Sequence, residues 1–538
     1  MIRCLLFICV SILLSSCGSI RHIDREEKNF QSTFDSTAVA LLSTDKLNRS
    51  PHGNWQLRLS GQDFALGYKR GKLYGPLQQY QEAAFFHKVD AMVPNPRKQR
   101  FLIKFLKWYH RTILKDIPLA YRQEIYGLSR SASDQYDFLG TKYERSLLLH
   151  GAHDIGHAMQ DLMLVGCSSV ALWNENSADG KLLIGRNFDF YVSEEFAKHK
   201  IVEFIEPQEG YKYAAVSWPG MIGVVSGMNE KGLTITLNAG KSSIPLQGKT
   251  PISIVARDIL QHARNIEEAV ARAQKFQVFI SESLLIGSAE DNSAVNIEIS
   301  PKKFDVFEVE NGKLLCTNHF QSDTYSKDKR NEKQIATSHS QYRLEKLRES
   351  FHGQRQFSPT QVAQVLRDVN GLEDTDIGLG NEKSLNQLLA HHAVIFQPHD
   401  LKMWVSNSPY QLGAFEAYDL REIFQNGKEV TPVRGLEIPT DSLLYESRFA
   451  DYQAYRRYLP VIQQATEKKT ELPDVQLKAF EKRNPNLWLT AKTLGDYHYA
   501  LANYKKAEYY YVIALEKEIS AEKARKQIEK KLRKTRKK

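Results

Sequence analysis

Between Gly232 and Asn238, Leu233, Ile235 and Leu237 alternate with Thr234, Thr236 and Asn238. A period of two over seven residues requires a strand with two unlike faces, and it puts Asn238 on the polar one. Further strand candidates surround this run. Ser168 to Trp173 and Lys181 to Arg186 make a hairpin around the turn Asn176-Ser177-Ala178-Asp179-Gly180. Others lie at 200–206, 212–218, 221–227, 283–288, 293–299, 303–309 and 313–317. Ala393 to Gln397 and Lys402 to Ser406 form a last pair around Pro398-His399-Asp400. Helices interrupt the strands once. Thr250-Pro251 reads as a cap followed by proline at the first helical position, and Asn265 with Glu268 three residues on reads as a second start. Strands, then helices, then strands imply sheets with segregated helices: an α+β layered domain over 167–424.

A chain of 538 residues holds two or three domains. Residues 19–50 are polar and read as a tether. From about 55 to 165 the pattern is mostly helical, and the stripes Phe85, Phe86, Val89, Met92 and Phe101, Phe105, Trp108, Tyr109 read as core rather than as a ligand box. A Pro- and Gly-containing connection (Asn426-Gly427, Pro432, Gly435, Pro439) leads to a helical region over 441–538. Within it, Leu494-Gly495, Tyr504, Ala507, Tyr511 and Ala514-Leu515 resemble one tetratricopeptide repeat, with His498 where that repeat usually has an aromatic. An ordinary helical hairpin fits the same residues, and either form needs neighbouring helices to cover its face. Such a region is a candidate surface for a protein partner.

The net charge is +10, but residues 517–538 hold 11 Lys/Arg against 3 Glu, so about +8 sits in this tail. The near-neutral remainder argues against a broad nucleic-acid surface. The tail itself is either a contact for nucleic acid or anionic lipid, or a solvated helix end.

Arg3 and the apolar run Leu5 to Leu14 form a targeting segment too short to span a bilayer. Leu14-Ser15-Ser16-Cys17-Gly18 resembles the bacterial lipoprotein signal. The resemblance implies removal of 1–16, lipidation of Cys17 and a place in the cell envelope, with the outer membrane favoured because Gly18 lacks the acidic side chain of inner-membrane retention. An ordinary secretory signal is the alternative. Cys4 and Cys9 then leave with the signal, and Cys167 and Cys316 remain as thiols. That is no disulfide framework, although one bridge between the two would block Cys167.

Cys167 follows Gly166 at the head of the first hairpin. A thiolate is the nucleophilic form, and Arg186 on the returning strand is a cation to favour it. Cutting the Gly166–Cys167 bond would free an α-amino group of pKa about 7.7–8, a general base for its own thiol. Asp189 is placed to orient that amine, and Asn238 and Asn318 are neutral donors for an oxyanion. Arg186 and Asp189 are three apart, so the strand must end or bend between them.

The runs Gly166-Cys167-Ser168-Ser169, Gly185-Arg186-Asn187-Phe188-Asp189, Met228-Asn229-Glu230-Lys231-Gly232-Leu233 through Asn238, and Thr317-Asn318-His319-Phe320 resemble the acyl-coenzyme A:6-aminopenicillanic-acid acyltransferase family. Choloylglycine hydrolases and acid ceramidase-like amidases are its relatives. The resemblance implies an αββα sandwich of the N-terminal-nucleophile hydrolase type acting on linear amides. It makes Cys167 the nucleophile, with Arg186 and Asp189 supporting it and Asn238 and Asn318 binding oxyanion or substrate. A late arginine is typical of the relatives; Ser340 and Arg343 are the candidates, and a solvent-facing helix arginine is the alternative for Arg343. Self-cleavage at a Gly-Cys bond, as in the acyltransferase members, would divide the chain into 17–166 and 167–538. The expected function is a lipid-anchored cysteine amidohydrolase or acyltransferase taking a small amphipathic amide, without metal or organic cofactor. A catalytically degenerate scaffold working through its helical C-terminal region is the alternative.

Two other groupings compete. His150, His153, Asp154 and His157 have helical spacing that suits zinc, a hydrogen-bonding helix face, or assistance to self-cleavage. Phe188, Phe190, Tyr191 and Trp218 suit an acyl pocket or plain core.

Overall fold

The computed structural model describes residues 22–35, 39–110, 112–158, 166–190, 194–243, 248–353, 356–425 and 429–538. The signal segment, Cys17 and Tyr191 lie outside the described residues, as do the side chains of His153 and His157.

Among the described residues, fifteen strands form two sheets. In chain order they are β1 (Lys46–Arg49), β2 (Trp55–Gly61), β3 (Ser168–Leu172), β4 (Leu183–Phe188), β5 (Ile201–Pro207), β6 (Tyr213–Ser217), β7 (Ser226–Asn229) and β8 (Leu233–Ala239). After two helices come β9 (Glu282–Ser288), β10 (Ser293–Ile299), β11 (Phe304–Phe307) and β12 (Lys313–Cys316), then β13 (His392–Gln397), β14 (Lys402–Ser406) and β15 (Phe415–Asp419). One sheet runs β1-β2-β5-β6-β7-β8-β9-β10-β11 and the other β12-β3-β4-β13-β14-β15. Neighbours are antiparallel except β2 and β5, which are parallel.

Facing side chains of the two sheets share one apolar layer, with Ala171, Ile184, Val394 and Val405 from one and Val202, Phe204, Met228 and Leu285 from the other. Helices cover both outer faces. Asp63–Met92, Leu119–Ser129, Ile252–His262 and Ile266–Ala273 pack on the nine-stranded sheet. Ser340–Ser350 and Pro359–Leu366 pack on the six-stranded one. The order is helix, sheet, sheet, helix, the expected αββα sandwich.

The alternation in β8 has an unexpected reason. All seven residues are buried. Leu233, Ile235 and Leu237 face the helical layer, while Asn238 receives a 2.7 Å hydrogen bond from Ser169 Oγ of the opposite sheet. The polar face of this strand therefore points into the sandwich.

The described residues within 19–50 are not a tether. A helix over 22–34 buries Ile23 and Phe30 in the main core, and β1 follows it. The described residues of 55–165 are mostly helical, with Trp55–Gly61 a strand of the large sheet. The stripe on Pro96–Tyr109 is not core throughout: Phe101 is 73% and Phe105 41% exposed. Thr250 is not a cap; Pro251 holds that position and Thr250 Oγ1 donates to Asp116 O at 2.7 Å. Asn265 caps as expected, accepting from Glu268 N at 3.0 Å. The 221–227 strand begins only at Ser226.

The C-terminal region packs on the sandwich through Leu379, Leu388 and Leu412. Trp488–Ala500 and Tyr504–Glu516 form a hairpin in which Gly495 lies against the Tyr511 ring. His498 stacks on Tyr510 at 5.6 Å. The basic tail is an ordered helix, Glu522–Thr535, that buries Ala524, Ile528 and Leu532 and turns its charges outward.

Candidate active site

The antiparallel registers Ser168↔Asn187 and Cys316↔Ser169 bring the head of β3 against the tails of β4 and β12. The tail of β8 meets them from the other sheet. Cys167, Arg186, Asp189, Asn238 and Asn318 are thereby gathered at one end of the sandwich, all buried. The required break between Arg186 and Asp189 is present, because β4 ends at Phe188.

Arg186 crosses from one sheet to the other. Its guanidinium donates to Val225 O at 2.8 Å, to Leu237 O and to Ser226 Oγ, lies over the Phe188 ring at 4.3 Å, and reaches Cys167 Sγ at 3.6 Å. The cation lowers the thiol's pKa, but burial outweighs it and the pKa stands above the ordinary value in the uncut chain.

The Gly166-Cys167 dipeptide is held at each backbone polar atom. Gly166 N donates to Asp189 O at 2.8 Å, and Gly166 O accepts from Gln387 Nε2 at 3.5 Å. Cys167 N donates to Asn318 Oδ1 at 2.8 Å, and Cys167 O accepts from Arg343 Nη1. Arg343 also donates to Ser168 Oγ at 2.9 Å and to Asn318 Oδ1 at 2.6 Å. It is fully buried, not solvent-facing. Ser340, on the same helix, accepts from Asn318 N at 2.8 Å.

Asn318 receives two donors at its oxygen, so its Nδ2 points elsewhere, to Ala239 O at 3.2 Å. Asn238 Nδ2 makes only long contacts of 3.4 Å to Cys316 O and Thr317 O. Both oxygens of the Asp189 carboxylate are buried without a hydrogen-bond partner among the described residues. Burial raises its pKa to about 8, against the pull of Arg343 and Arg186.

Sequence reasoning missed a second tier. Ser226 Oγ lies 2.8 Å from His392 Nε2, and His392 Nδ1 lies 2.9 Å from His391 Nδ1. Burial keeps both rings neutral. Arginine only donates, so Ser226 accepts from Arg186 and donates its own O–H to His392 Nε2. His392 Nδ1–H then donates to His391. The adjacent histidines heading β13 were the visible signal for this tier; nothing marked Gln387.

Phe188, Phe190 and Trp218 are stacked, with Phe190 and Trp218 at 6.2 Å. Phe190, Phe196, Trp218 and Met221 line a cavity of about 60 Å³ that Phe85 also edges, so part of that helix stripe does face a cavity. His150 takes the hydrogen-bonding reading: Nδ1 pairs with Ser146 O at 2.7 Å and Nε2 accepts from Ile222 N. Asp154 accepts from Ile252 N at 2.8 Å. Cys316 stays buried and unbridged.

Residues 173–408 match the family described as acyl-coenzyme A:6-aminopenicillanic acid acyl-transferase. The chain is 26% identical over 278 residues to an uncharacterized protein of Archaeoglobus fulgidus, covering 47% of this chain and 45% of that one. It is 25% identical over 276 residues to protein dcd1B of Dictyostelium discoideum, covering 47% and 52%. The matched stretch thus spans about half the length of these curated relatives. Among solved structures it is similar to a Caenorhabditis elegans ortholog of N-acylethanolamine-hydrolyzing acid amidase, with TM-score 0.34 and 19% identity over 43% of this chain and 93% of that one. A mutant conjugated bile acid hydrolase from Clostridium perfringens is similar with TM-score 0.29 and 13% identity, over 50% and 96%.

Proposed function

We propose that this chain, whose residues 173–408 carry the acyl-coenzyme A:6-aminopenicillanic acid acyl-transferase domain, is a cysteine N-terminal-nucleophile enzyme of linear amides. It is made as a precursor and cut before Cys167. The observation that carries this reading is the Cys167 thiol 3.6 Å from a buried guanidinium, next to a dipeptide held at all four of its backbone polar atoms.

Scission leaves an α-amine on Cys167. The buried Asp189 carboxylate and Asn318 Oδ1 are acceptors for it. The amine takes the thiol proton as Sγ attacks the substrate carbonyl carbon. Oxygen becomes an oxyanion, and Asn238 Nδ2, held only by long bonds, is the donor free to turn to it. The C–N bond breaks, the amine product leaves with the proton, and an acyl-thioester remains on Cys167. Water hydrolyses it, or a second amine takes the acyl group. Arg343 holds the backbone of the nucleophile in place. The substrate is a small amphipathic amide whose acyl end lies along Phe190, Phe196 and Trp218. In the cell, lipidated Cys17 would hold the enzyme in a bacterial envelope, with the outer membrane favoured.

Intact-mass analysis of the purified chain, with and without an acyl-transferring thiol probe, tests the proposal. Wild type is expected as two fragments divided between residues 166 and 167, with the probe's acyl mass on the second. Cys167→Ala is expected uncut and unlabelled. An uncut, unlabelled wild-type chain would falsify the proposal.

A further inference from the structure

We propose that Gln387 is a catalytic residue of the maturation cut, donating from Nε2 to the oxyanion that forms on Gly166; this rests on the self-cleavage proposed above.

The bond to be broken joins Gly166 C to Cys167 N. When Cys167 Sγ attacks Gly166 C, negative charge grows on Gly166 O. Gln387 Nε2 stands 3.5 Å from that oxygen. The separation is long for a ground-state bond. A donor aimed at developing charge tightens as the carbon becomes tetrahedral.

Three observations make Gln387 a built part of this site. It is 2% exposed, in a segment outside helix and strand that is tied down at both ends. Asn187 Nδ2, beside Arg186 on β4, holds Leu385 O at 3.0 Å, and His391 N donates to Phe188 O at 2.9 Å. The residue after it, Leu388, is held at φ 52°, a left-handed conformation that a leucine rarely adopts. Its amide donates to Asn386 Oδ1 at 3.0 Å. Finally, Gln387 sits directly on the Gly166 Cα: a Cβ there would lie 2.3 Å from Nε2. Glycine before the nucleophile is thus what lets this donor reach the scissile carbonyl.

The step balances without an added reagent other than water. The Sγ–C bond forms and the C–N bond breaks, and the thiol proton goes to the departing Cys167 nitrogen. That nitrogen already faces Asn318 Oδ1. Water then cleaves the thioester, giving the Gly166 carboxylate and restoring the thiol.

The test is the cutting rate of the freshly translated full chain, followed by intact mass. Gln387→Met keeps the shape and removes the donor; Gln387→Glu keeps the shape and puts an acceptor against the oxyanion. Both are expected to cut 100-fold or more slowly, with Glu the slower, while melting within a few degrees of the Cys167→Ala chain. If Met disturbs folding, the Glu variant decides. Wild type cut and both variants cut at its rate would remove Gln387 and leave self-cleavage standing. Wild type uncut, or Cys167→Ala cut as fast as wild type, would sink both ideas.

Discussion

Asp189 is the residue whose surroundings the proposed cut would change most, by placing a new amine beside its carboxyl. In the uncut chain its carboxyl is buried, lacks a hydrogen-bond partner and titrates near pH 8 instead of 3.8. A carboxyl with a raised folded pKa favours the native state fully below its unfolded pKa, and that contribution is lost as pH rises through the folded pKa. The Cys167→Ala precursor should therefore lose melting temperature between about pH 4 and 8. Asp189→Asn in that background should flatten part of the loss, as read by thermal scans at each pH. Arg343 offers a second test. Its planar fork reaches Cys167 O, Ser168 Oγ and Asn318 Oδ1 together, which a lysine ammonium cannot do. Arg343→Lys should lower both the cutting rate and kcat/KM by at least tenfold, measured by mass and by amide turnover. The residues before and within strands were legible because the chemistry demanded them in order along the chain. Arg343 was read only by resemblance, since on its helix nothing distinguishes it from Arg348, which is exposed and paired with Glu345.

At the scale of elements, periodicity told strand from helix but not which neighbour each face would meet. The threonine and asparagine face of β8 was legible as polar, but not that the second sheet covers it. The 22–34 helix escaped notice because its buried residues, Ile23 and Phe30, are spread among charges. β15 was missed for a similar reason, its buried face lying in Phe-Glu-Ala-Tyr-Asp with a glutamate that is itself buried. The C-terminal hairpin was legible because close helices need small residues at fixed places. Gly495 is one: a Cβ there would stand 2.7 Å from the Tyr511 ring. Gly495→Ala should destabilise by about 1–3 kcal/mol, as overpacking does, seen as a lower denaturant midpoint in chemical unfolding.

Across the whole molecule, the two prospective fragments are parts of one core. β2 pairs along seven residues with β5. Glu124, from before the cut, bridges Arg70 at 3.1 Å and Arg257, from after it, at 3.0 Å, all with fully buried side chains. Arg70 in turn pairs with Glu203 of β5. Removing one member of such a buried set costs about 3–5 kcal/mol, because the remaining charges lose their partner. Glu124→Gln should lower the thermal midpoint accordingly. The cut fragments should migrate as one species in size exclusion and separate only in denaturant.

The positions of the groups that hold Gly166 and Cys167 also impose an order in time. Asp189, Asn318, Arg343 and Gln387 are all encoded downstream of the bond, the last more than two hundred residues later. A nascent chain emerges at about 5–20 residues per second, so a ribosome displaying Cys167 is still some ten seconds or more from supplying Gln387. A cut that uses these groups must follow synthesis through Gln387 and closure of the sheets around it, so the proposed scission would report that the domain has been inspected and passed.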